Sequence, residues 1–277
     1  MKRAFVIGHP IAHSRSPLIH RYWLDRYGID GSYEAIDVAP EVLPAFLERL
    51  RQGEFVGGNV TVPHKEAVFS LVDHHDLETK HLGAYNTLGR METAGSGEVR
   101  GTNTDLHGFL ANLDAAAPGW DDGLDQAILL GAGGAARAVA AALTLRVKGK
   151  VHVLNRSHDR AQALAADLGG ALQGAGMDAF PRLAPKAGLL VNTTSVGMHG
   201  TRFPDLPLEL LPKSALVTDI VYVPLETPLL ADARSIGLRT VDGLGMLLHQ
   251  AVPGFECWFG VRPDVTAELR AKIEATL

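Results

Sequence analysis

The sequence predicts an α/β protein with two domains, one of which is a doubly wound parallel sheet. Three observations predict this class. Apolar segments of strand length alternate with helical segments from residue 127 to residue 241, which is typical of parallel βαβ units. A glycine-rich turn joins the first of these strands to its helix. The length of 277 residues corresponds to roughly two domains of about 150 residues each.

The N-terminal part of the chain also predicts alternating strands and helices. The strands are predicted over residues 4–7, 33–38 and 55–62, and the helices over residues 16–27 and 40–51. Ser16 and Pro17 form an N-cap and N1 pair that is typical of a helix start. Ser14 has no comparable structural role. Two hydroxyl groups beside a helix start therefore predict a site for a carboxylate.

The third predicted strand ends beside a lysine in an unusual position. Pro63-His64-Lys65 follows the strand and opens a helix, and Asn59 and Thr61 share one face of that strand. A lysine in the first turn is unfavourable beside the positive end of the helix dipole, and the same field would lower its pKa. This position favours a chemical role for Lys65. The alternative is an exposed helix lysine.

The next segment contains Asp73-His74-His75-Asp76, which superficially resembles a metal site. Because no two of its histidines are four residues apart, we interpret it as a solvated polar segment and expect no metal. Residues 85–90 and 99–103 predict a hairpin around Gly95-Ser96-Gly97. Asp105 is predicted to cap the helix that follows, up to Ala117.

The glycine-rich turn of the second domain lies between the strand 127–130 and a helix over residues 135–145. Gly131, Gly133 and Ala136 fit the fingerprint of a dinucleotide-binding turn. Gly131 permits the tight turn, Gly133 lets the backbone approach a pyrophosphate, and Ala136 lets helix and strand pack closely. The alternative is an ordinary glycine-rich connection.

The strand that follows, over residues 151–154, indicates which dinucleotide is bound. It ends in Asn155-Arg156-Ser157, where an NAD site usually has a carboxylate for the ribose hydroxyls. A guanidinium at this position binds a 2′-phosphate well, whereas a carboxylate would repel it. Arg160 adds a second cation four residues later. The pattern predicts NADP rather than NAD, with a solvated strand-end arginine as the alternative.

Three further strands are predicted in this domain, over residues 188–192, 215–220 and 239–241, together with a helix over 158–168 that ends at Gly169. The loops at the carboxyl ends of such strands line the cofactor crevice. After the last strand, a helix through Phe259 carries Gln250.

The composition narrows the possible partners. Twenty-six basic and 31 acidic residues give a net charge of −5, which indicates neither nucleic acid nor an anionic membrane as a partner. No apolar stretch reaches the ~18 residues of a membrane span. The single cysteine, Cys257, excludes an internal disulfide and suits a reducing compartment, so we expect a cytoplasmic protein. Beside Trp258 and Phe259, it is predicted to be a small core residue.

Several motifs together resemble the shikimate dehydrogenase family. They are Gly8-His9-Pro10-Ile11-Ala12-His13-Ser14-Arg15-Ser16-Pro17, Asn59-Val60-Thr61-Val62-Pro63-His64-Lys65, Asn103-Thr104-Asp105 and Asp242-Gly243-Leu244-Gly245-Met246. Residues 131–137 and 155–157 resemble the NADP-binding segments of the same family. The matches run in order from residue 8 to about residue 250, so the resemblance covers nearly the whole chain.

The resemblance implies an enzyme of aromatic amino-acid biosynthesis that reduces 3-dehydroshikimate to shikimate with NADPH. It implies an N-terminal α/β substrate domain of residues 1–105, completed by residues 244–277. A Rossmann-like doubly wound NADP-binding domain, residues 106–243, would be inserted between them. The oligomeric state, monomer or homodimer, stays open.

The resemblance also implies the roles of individual residues. Lys65 and Asp105 would be the catalytic pair, with the lysine giving a proton to the carbonyl oxygen and the aspartate holding it. The substrate carboxylate would be held by Ser14, Ser16 and Tyr222, and the ring oxygens would be surrounded by Thr61, Lys65, Asn86, Asp105 and Gln250. The candidate cofactor residues are Gly131, Ala132, Gly133, Gly134, Ala135, Asn155, Arg156, Ser157, Arg160, Thr193, Thr194, Ser195, Ile220, Gly243 and Met246.

Three other interpretations remain at this point. A quinate/shikimate dehydrogenase would accept quinate and often NAD, and only Arg156 argues against it. A methylenetetrahydrofolate dehydrogenase pairs its lysine with a tyrosine four residues earlier, whereas residue 61 here is threonine. A non-catalytic NADP-binding regulator on the same scaffold would not require Lys65 and Asp105 together.

Overall fold

A computed structural model describes residues 1–92 and 97–277, which divide into two compact units. Unit 1 comprises residues 1–105 and 248–276, and unit 2 comprises residues 106–247 with Leu277. The second crossing between the units lies after residue 247 in this division, whereas the sequence prediction places it after residue 243. The tip of the predicted hairpin, at Gly95 and Ser96, lies outside the described residues.

Unit 1 is built on a six-stranded mixed sheet with the order β2-β1-β3-β5-β6-β4. The strands are β1 (Lys2–Gly8), β2 (Gly31–Asp37), β3 (Gly57–Val60), β4 (His74–His75), β5 (Thr87–Glu92) and β6 (Gly97–Thr102). β1 pairs in parallel with β2 and β3, and β5 is antiparallel to both β3 and β6. His74 and His75, predicted as a solvated polar segment, are exposed and form a short edge strand beside β6.

The helices of the described residues belong to both units. They are α1 (Ser16–Tyr27), α2 (Leu43–Arg51), α3 (Lys65–Phe69), α4 (Asp105–Ala116), α5 (Gly134–Arg146), α6 (His158–Leu168), α7 (Phe180–Leu183), α8 (Pro228–Ser235), α9 (Leu244–Phe259) and α10 (Ala267–Glu274). The helix predicted over residues 40–51 begins as a 3-10 turn, Pro40–Val42, and continues as α2.

The start of α1 differs from the prediction by one residue. Arg15 occupies the N-cap position and Ser16 is the first helical residue, so the prediction that Ser16 caps the helix is wrong. The Ser14 hydroxyl accepts a hydrogen bond from the Ser16 backbone N–H at 3.3 Å, which satisfies a free donor of the first turn, so the expectation that Ser14 has no structural role there is wrong as well. The helix ends at Tyr27, as predicted, with Gly28 in the left-handed conformation at φ 62°.

Tight packing of aromatic rings joins the C-terminal segment to the sheet of unit 1. Trp258 of α9 donates a hydrogen bond to the Leu88 carbonyl at 2.8 Å, and Gly57 of β3 leaves the space that the indole fills. Cys257 is exposed, so its prediction as a core residue is wrong. Adjacent residues on a helix point in different directions, so the burial of Trp258 and Phe259 does not extend to Cys257.

Unit 2 is built on a six-stranded, all-parallel sheet with the order β13-β12-β10-β7-β8-β9, which confirms the predicted doubly wound class. The strands of this unit are β7 (Gln126–Leu130), β8 (Lys150–Asn155), β9 (Leu172–Gly176), β10 (Leu189–Asn192), β11 (Val196–His199), β12 (Leu216–Asp219) and β13 (Arg239–Val241). β11 lies outside this sheet. Apolar clusters cover both faces of the sheet, which explains why its strands are continuous apolar runs.

β9 is a strand that was not predicted from the sequence. Its residues are Leu172-Gln173-Gly174-Ala175-Gly176, which carry little strand propensity. The pairing with β8 defines it. A Cβ atom on Gly174 would lie 2.4 Å from the backbone of Ala161, so a close approach of α6 requires glycine there. In the part of the chain that the structure describes, no helix is long and apolar enough for a membrane crossing.

Candidate active site

An ion pair in unit 1 joins two of the predicted residues. Lys65 is the first residue of α3, and its Nζ donates a hydrogen bond to Oδ2 of Asp105 at 2.5 Å. The side chains are 20% and 9% exposed, respectively. Lys65 is therefore not an exposed helix lysine. A charge-assisted hydrogen bond of this kind is stronger than a neutral one, particularly when it is shielded from water.

The Asn86 side chain lies against this pair and has one defined orientation. Its Oδ1 accepts a hydrogen bond from the Thr104 backbone N–H at 2.8 Å. Since a backbone N–H only donates, the amide nitrogen of Asn86 must face the other way. That nitrogen donates to Oδ1 of Asp105 at 2.8 Å and to Oε1 of Gln250 at 3.3 Å. Lys65, Asp105, Asn86 and Gln250 thus form one cluster.

Asp105 was predicted to cap the helix α4, and the structure gives its carboxylate different partners. Asp105 is the first residue of α4, and its own N–H donates to Oδ1 of Asn103 at 3.0 Å. The two carboxylate oxygens accept from Lys65 and Asn86. This carboxylate therefore joins the side chains of the cluster.

The hydroxyl residues predicted in unit 1 follow the carboxyl ends of two neighbouring parallel strands. Ser14 and Ser16 follow β1, and Thr61 follows β3 directly. Ser16 is buried, whereas Ser14 and Thr61 are half-buried. The Thr61 methyl group packs onto the backbone at Gly8, where an added Cβ would lie 2.6 Å from it. Tyr222, the third residue predicted at the substrate carboxylate, belongs to unit 2.

The glycine-rich turn of unit 2 has space for a ligand. Gly131 has a φ of 111°, and a Cβ atom there would lie 2.8 Å from the Thr193 hydroxyl. A Cβ atom on Gly133 or Gly134 would instead meet nothing within 4 Å. Gly133 is the N-cap residue of α5, and Ala136 is fully buried. The helix start is therefore open at the glycines and tightly packed at Ala136, as a dinucleotide pyrophosphate requires.

The residues that follow β8, where the sequence predicts NADP binding, have a structure that suits this cofactor. Arg156 and Arg160 are exposed, and neither guanidinium forms an ion pair within residues 1–92 and 97–277. The Asn155 amide donates to the Ser157 carbonyl at 3.0 Å, which shapes the turn that carries Arg156. Two unpaired guanidiniums beside a helix start suit the 2′-phosphate of NADP.

The remaining cofactor candidates lie at the carboxyl ends of β10, β12 and β13. The Thr193 hydroxyl donates to the Leu130 carbonyl at 2.7 Å, and Thr194 donates to Oδ1 of Asn192 through both its N–H and its hydroxyl. A Cβ on Gly243 would lie 2.5 Å from the Ile220 backbone. Ser195 continues the first of these loops, and Met246 is buried in the core of unit 2.

A buried aspartate that was not predicted from the sequence connects these loops. Asp219 is fully buried, and its carboxylate accepts hydrogen bonds from Asn192, the Val221 N–H and Thr227. Burial raises the pKa of Asp219, while these three donors oppose that shift. An aspartate that ends a buried strand is the sequence signal for this residue.

Two buried threonines next to Asn86 were missed as well. Thr87 and Thr104 hydrogen-bond to Asn86 and to each other. Their only sequence signal is that each adjoins a candidate residue. Across residues 1–92 and 97–277, no three His, Cys, Asp or Glu side chains converge as a metal site would need. The His74 ring pairs with Glu98 at 2.7 Å.

The fold and these sites define a two-domain, dinucleotide-dependent oxidoreductase, with a lysine–aspartate pair in one unit and a dinucleotide turn in the other. Comparison with known proteins identifies the family. The model of the shikimate dehydrogenase substrate binding domain matches residues 6–88, that of shikimate / quinate 5-dehydrogenase matches residues 121–203, and that of the shikimate 5'-dehydrogenase C-terminal domain matches residues 243–270. The chain belongs to the NADP-dependent shikimate dehydrogenase family.

Individual relatives support this assignment over the full length. The shikimate dehydrogenase (NADP(+)) of Mesorhizobium japonicum is 56% identical over 276 residues, covering 100% of this chain and 97% of the relative. Shikimate 5-dehydrogenase from Thermus thermophilus, solved with NADP(H) and shikimate, has a TM-score of 0.85, 39% identity and 100% coverage of both chains. Quinate dehydrogenase from Corynebacterium glutamicum, solved with NAD, has a TM-score of 0.89 and 32% identity, covering 100% and 99% of the two chains.

Proposed function

We propose that this chain catalyses the reversible reduction of 3-dehydroshikimate to shikimate with NADPH, and that Lys65 and Asp105 carry out the proton transfer. The observation that carries the proposal is the hydrogen bond of 2.5 Å between these side chains, inside a partly buried cluster with Asn86 and Gln250. The full-length similarity to enzymes named shikimate dehydrogenase (NADP(+)) supports it.

The reduction of a ketone needs a hydride at carbon and a proton at oxygen. When bound, NADPH supplies the hydride. The Lys65 ammonium donates the proton to the carbonyl oxygen as general acid. Asp105 holds the amine in place and stabilises its charge. In the reverse direction the neutral amine accepts the hydroxyl proton of shikimate.

The neighbouring amides orient the ring of the substrate. Asn86 and Gln250 are 2% and 8% exposed, respectively. Their donors and acceptors bind ring hydroxyls in the same cluster that holds Lys65. Ser14, Ser16 and Tyr222 bind the substrate carboxylate, and Thr61 completes the set of hydroxyl donors. Such positioning makes a bimolecular reaction effectively unimolecular, because the reacting groups are already held in place.

The cofactor residues act through backbone and charge. Gly133 and Gly134 leave the start of α5 open, so its N–H groups bind the pyrophosphate of NADP. Arg156 and Arg160 bind the 2′-phosphate. The loops with Thr193, Thr194, Ser195, Ile220, Gly243 and Met246 hold the nicotinamide end. We place the enzyme in the cytoplasm, because its single cysteine suits a reducing compartment.

A four-way assay tests the proposed function. Purified protein is offered shikimate or quinate, each with NADP or NAD, and the absorbance of reduced nicotinamide is followed. We expect the highest kcat/KM with shikimate and NADP. A preference for quinate with NAD would assign the chain to the specificity of the C. glutamicum relative. No turnover in any of the four mixtures would contradict the proposal and favour a non-catalytic NADP-binding regulator.

A further inference from the structure

A closed ring of hydrogen bonds in unit 1 adjoins the candidate active site and shares Asn86 with it. The Thr87 Oγ1 donates to Oδ1 of Asn86 at 3.0 Å, the Asn86 amide nitrogen donates to the Thr104 Oγ1 at 3.1 Å, and the two threonine hydroxyls are 3.1 Å apart. A hydroxyl has one proton. Thr87 donates its proton to Asn86, whereas the single Thr104 proton has two acceptors within reach, Oγ1 of Thr87 at 3.1 Å and Oδ1 of Asn86 at 3.2 Å. The three side chains therefore form a closed ring around the Asn86 amide, in which the Thr87 hydroxyl is a donor to Oδ1.

A second chain of hydrogen bonds reaches Thr87 from the other side. The Tyr33 hydroxyl donates to Oδ1 of Asn59 at 2.6 Å, and the Asn59 amide nitrogen donates to the Thr87 Oγ1 at 3.1 Å. Tyr33 is itself fixed, because its ring stacks on His20 with centroids 3.9 Å apart and planes within 7°.

Burial makes these bonds important. Tyr33, Asn59, Thr87 and Thr104 are each 3–5% exposed, so water does not readily replace a lost partner. An unpaired polar group in such surroundings is costly, and linked hydrogen bonds strengthen one another. The ring includes the Asn86 amide that donates to Asp105, and Asp105 in turn binds Lys65, so hydrogen bonds connect Thr87 to the ion pair through Asn86.

We propose that Thr87 is a positioning residue of the reaction, whose hydroxyl orients the Asn86 amide and, through it, Asp105. Tyr33 on β2 and Asn59 on β3 extend this network to neighbouring strands of the sheet. Neither Thr87 nor Tyr33 belongs to the residues assigned to substrate. The inference depends on the proposed function, since the oriented carboxylate is the partner of the catalytic lysine.

The test compares substitutions at Thr87 with one at its cross-strand partner. Thr87→Val removes the hydroxyl and keeps the shape, whereas Thr87→Ser keeps the hydroxyl. Thr102 lies directly opposite on β6, and its hydroxyl bonds to Asp76 and lies near Thr79. Thr102→Val is therefore the matched control, because it removes a partly buried hydroxyl whose partners are Asp76 and Thr79 rather than the Asn86 side chain.

We expect Thr87→Val to lower kcat about tenfold and to shift the pH profile of kcat, with the KM for NADP unchanged. Thr87→Ser should restore most of kcat, and Thr102→Val should leave kcat and the pH profile unchanged. A purely structural role for Thr87 would lower the Tm without moving the pH profile. Wild-type kcat and pH profile in folded Thr87→Val, or an equal loss in Thr87→Ser or Thr102→Val, would overturn the inference.

Tyr33→Phe tests the outer part of the chain independently, including the case in which Thr87→Val does not fold. It should lower kcat in the same direction by a smaller factor. The double variant Tyr33→Phe/Thr87→Val should be no slower than Thr87→Val alone, because residues that act through one network are not additive. Multiplied effects would overturn the connection through Asn59. If the wild type itself fails to oxidise shikimate, the proposed function fails first and this inference with it.

Discussion

Lys65 is the residue whose removal tests the proposed proton transfer most directly. Lys65→Met removes the amine bound to Asp105 and keeps an unbranched side chain. We expect kcat/KM to fall about 10²- to 10⁴-fold, the range typical of a lost general acid, with the affinity for NADPH nearly unchanged. Steady-state kinetics with shikimate and fluorescence titration with NADPH measure the two quantities. Lys80→Met, at an exposed lysine of unit 1, is the control. Wild-type turnover in Lys65→Met would exclude this lysine from the mechanism.

Arg156 determines the preference for NADP in this proposal. Arg156→Asp replaces an exposed cation by an anion that repels a 2′-phosphate. We expect it to cost about 1.5–3 kcal/mol of NADPH binding, as for a lost charge-assisted contact. The measurement is the ratio of Kd values for NADPH and NADH. Arg239→Asp is the control, because Arg239 begins β13 and lies at the opposite, amino edge of the parallel sheet. An unchanged ratio in Arg156→Asp would remove the assignment.

His20 makes the stability of unit 1 dependent on pH. Burial lowers the pKa of His20 from the ordinary 6.5 to about 3, and the nearby Asn59 side chain partly opposes this shift. Neither ring nitrogen of His20 has a hydrogen-bond partner among the described residues. The unfolded chain then binds a proton that the folded chain excludes, so stability is full above pH 6.5 and falls as the pH decreases from 6.5 towards 3.

The prediction for His20 is a difference between two pH values. When the pH falls from 7 to 5, the free energy of unfolding of the wild type should decrease by about 2 kcal/mol more than that of His20→Phe. Urea unfolding at both pH values measures this. The control is His81→Phe, at an exposed histidine. An equal loss in wild type and His20→Phe would show that His20 does not contribute.

The turn between β7 and α5 has a testable property at the level of the element. A Cβ on Gly133 meets nothing within 4 Å, and its φ of −99° is allowed for any residue. Gly133→Ala should therefore lower the Tm of the ligand-free protein only slightly, by the small cost of alanine at an N-cap. The added methyl group would occupy the space proposed for the pyrophosphate, so NADPH binding should weaken by about 1–3 kcal/mol.

Gly131→Ala is the contrasting variant for the same turn. Its φ of 111° and the Thr193 hydroxyl 2.8 Å from the new Cβ predict strain in the ligand-free protein as well. Thermal unfolding with and without NADPH separates the two effects. If Gly133→Ala binds NADPH like the wild type, the pyrophosphate does not approach the turn at that residue.

The division into two units predicts which part of the molecule each ligand protects from amide hydrogen exchange. NADP bound to unit 2 should slow amide hydrogen exchange most strongly within residues 106–247, and shikimate should do so within residues 1–105 and 248–276. A ligand at 100 times its Kd stabilises the folded form by about 2.7 kcal/mol, which is large enough to measure. Hydrogen exchange followed by mass spectrometry, with each ligand added separately, gives the result. Protection by shikimate confined to unit 2 would contradict the proposed domain roles.

At each scale, the predictable features are those with local signals. The glycine turn, the arginine after β8 and the lysine after β3 are visible in the sequence because a few adjacent residues carry each of them. The strands of unit 2 were predicted to within two residues where they are continuous apolar runs, as in Gln126–Leu130. β9 was missed because pairing with β8, rather than its own composition, makes it a strand.

The sequence alone determined the class of fold and the kind of chemistry. Periodic apolar segments encode a parallel sheet, and short motifs encode a dinucleotide turn and a reactive lysine, because these signals act over a few residues. Only the tertiary structure decided which side chains meet. Lys65 and Asp105 are 40 residues apart in the chain, and Asn86 and Gln250 are 164 apart. Contacts over such separations depend on the order of strands in the sheet and on the packing of α9, which no local pattern specifies.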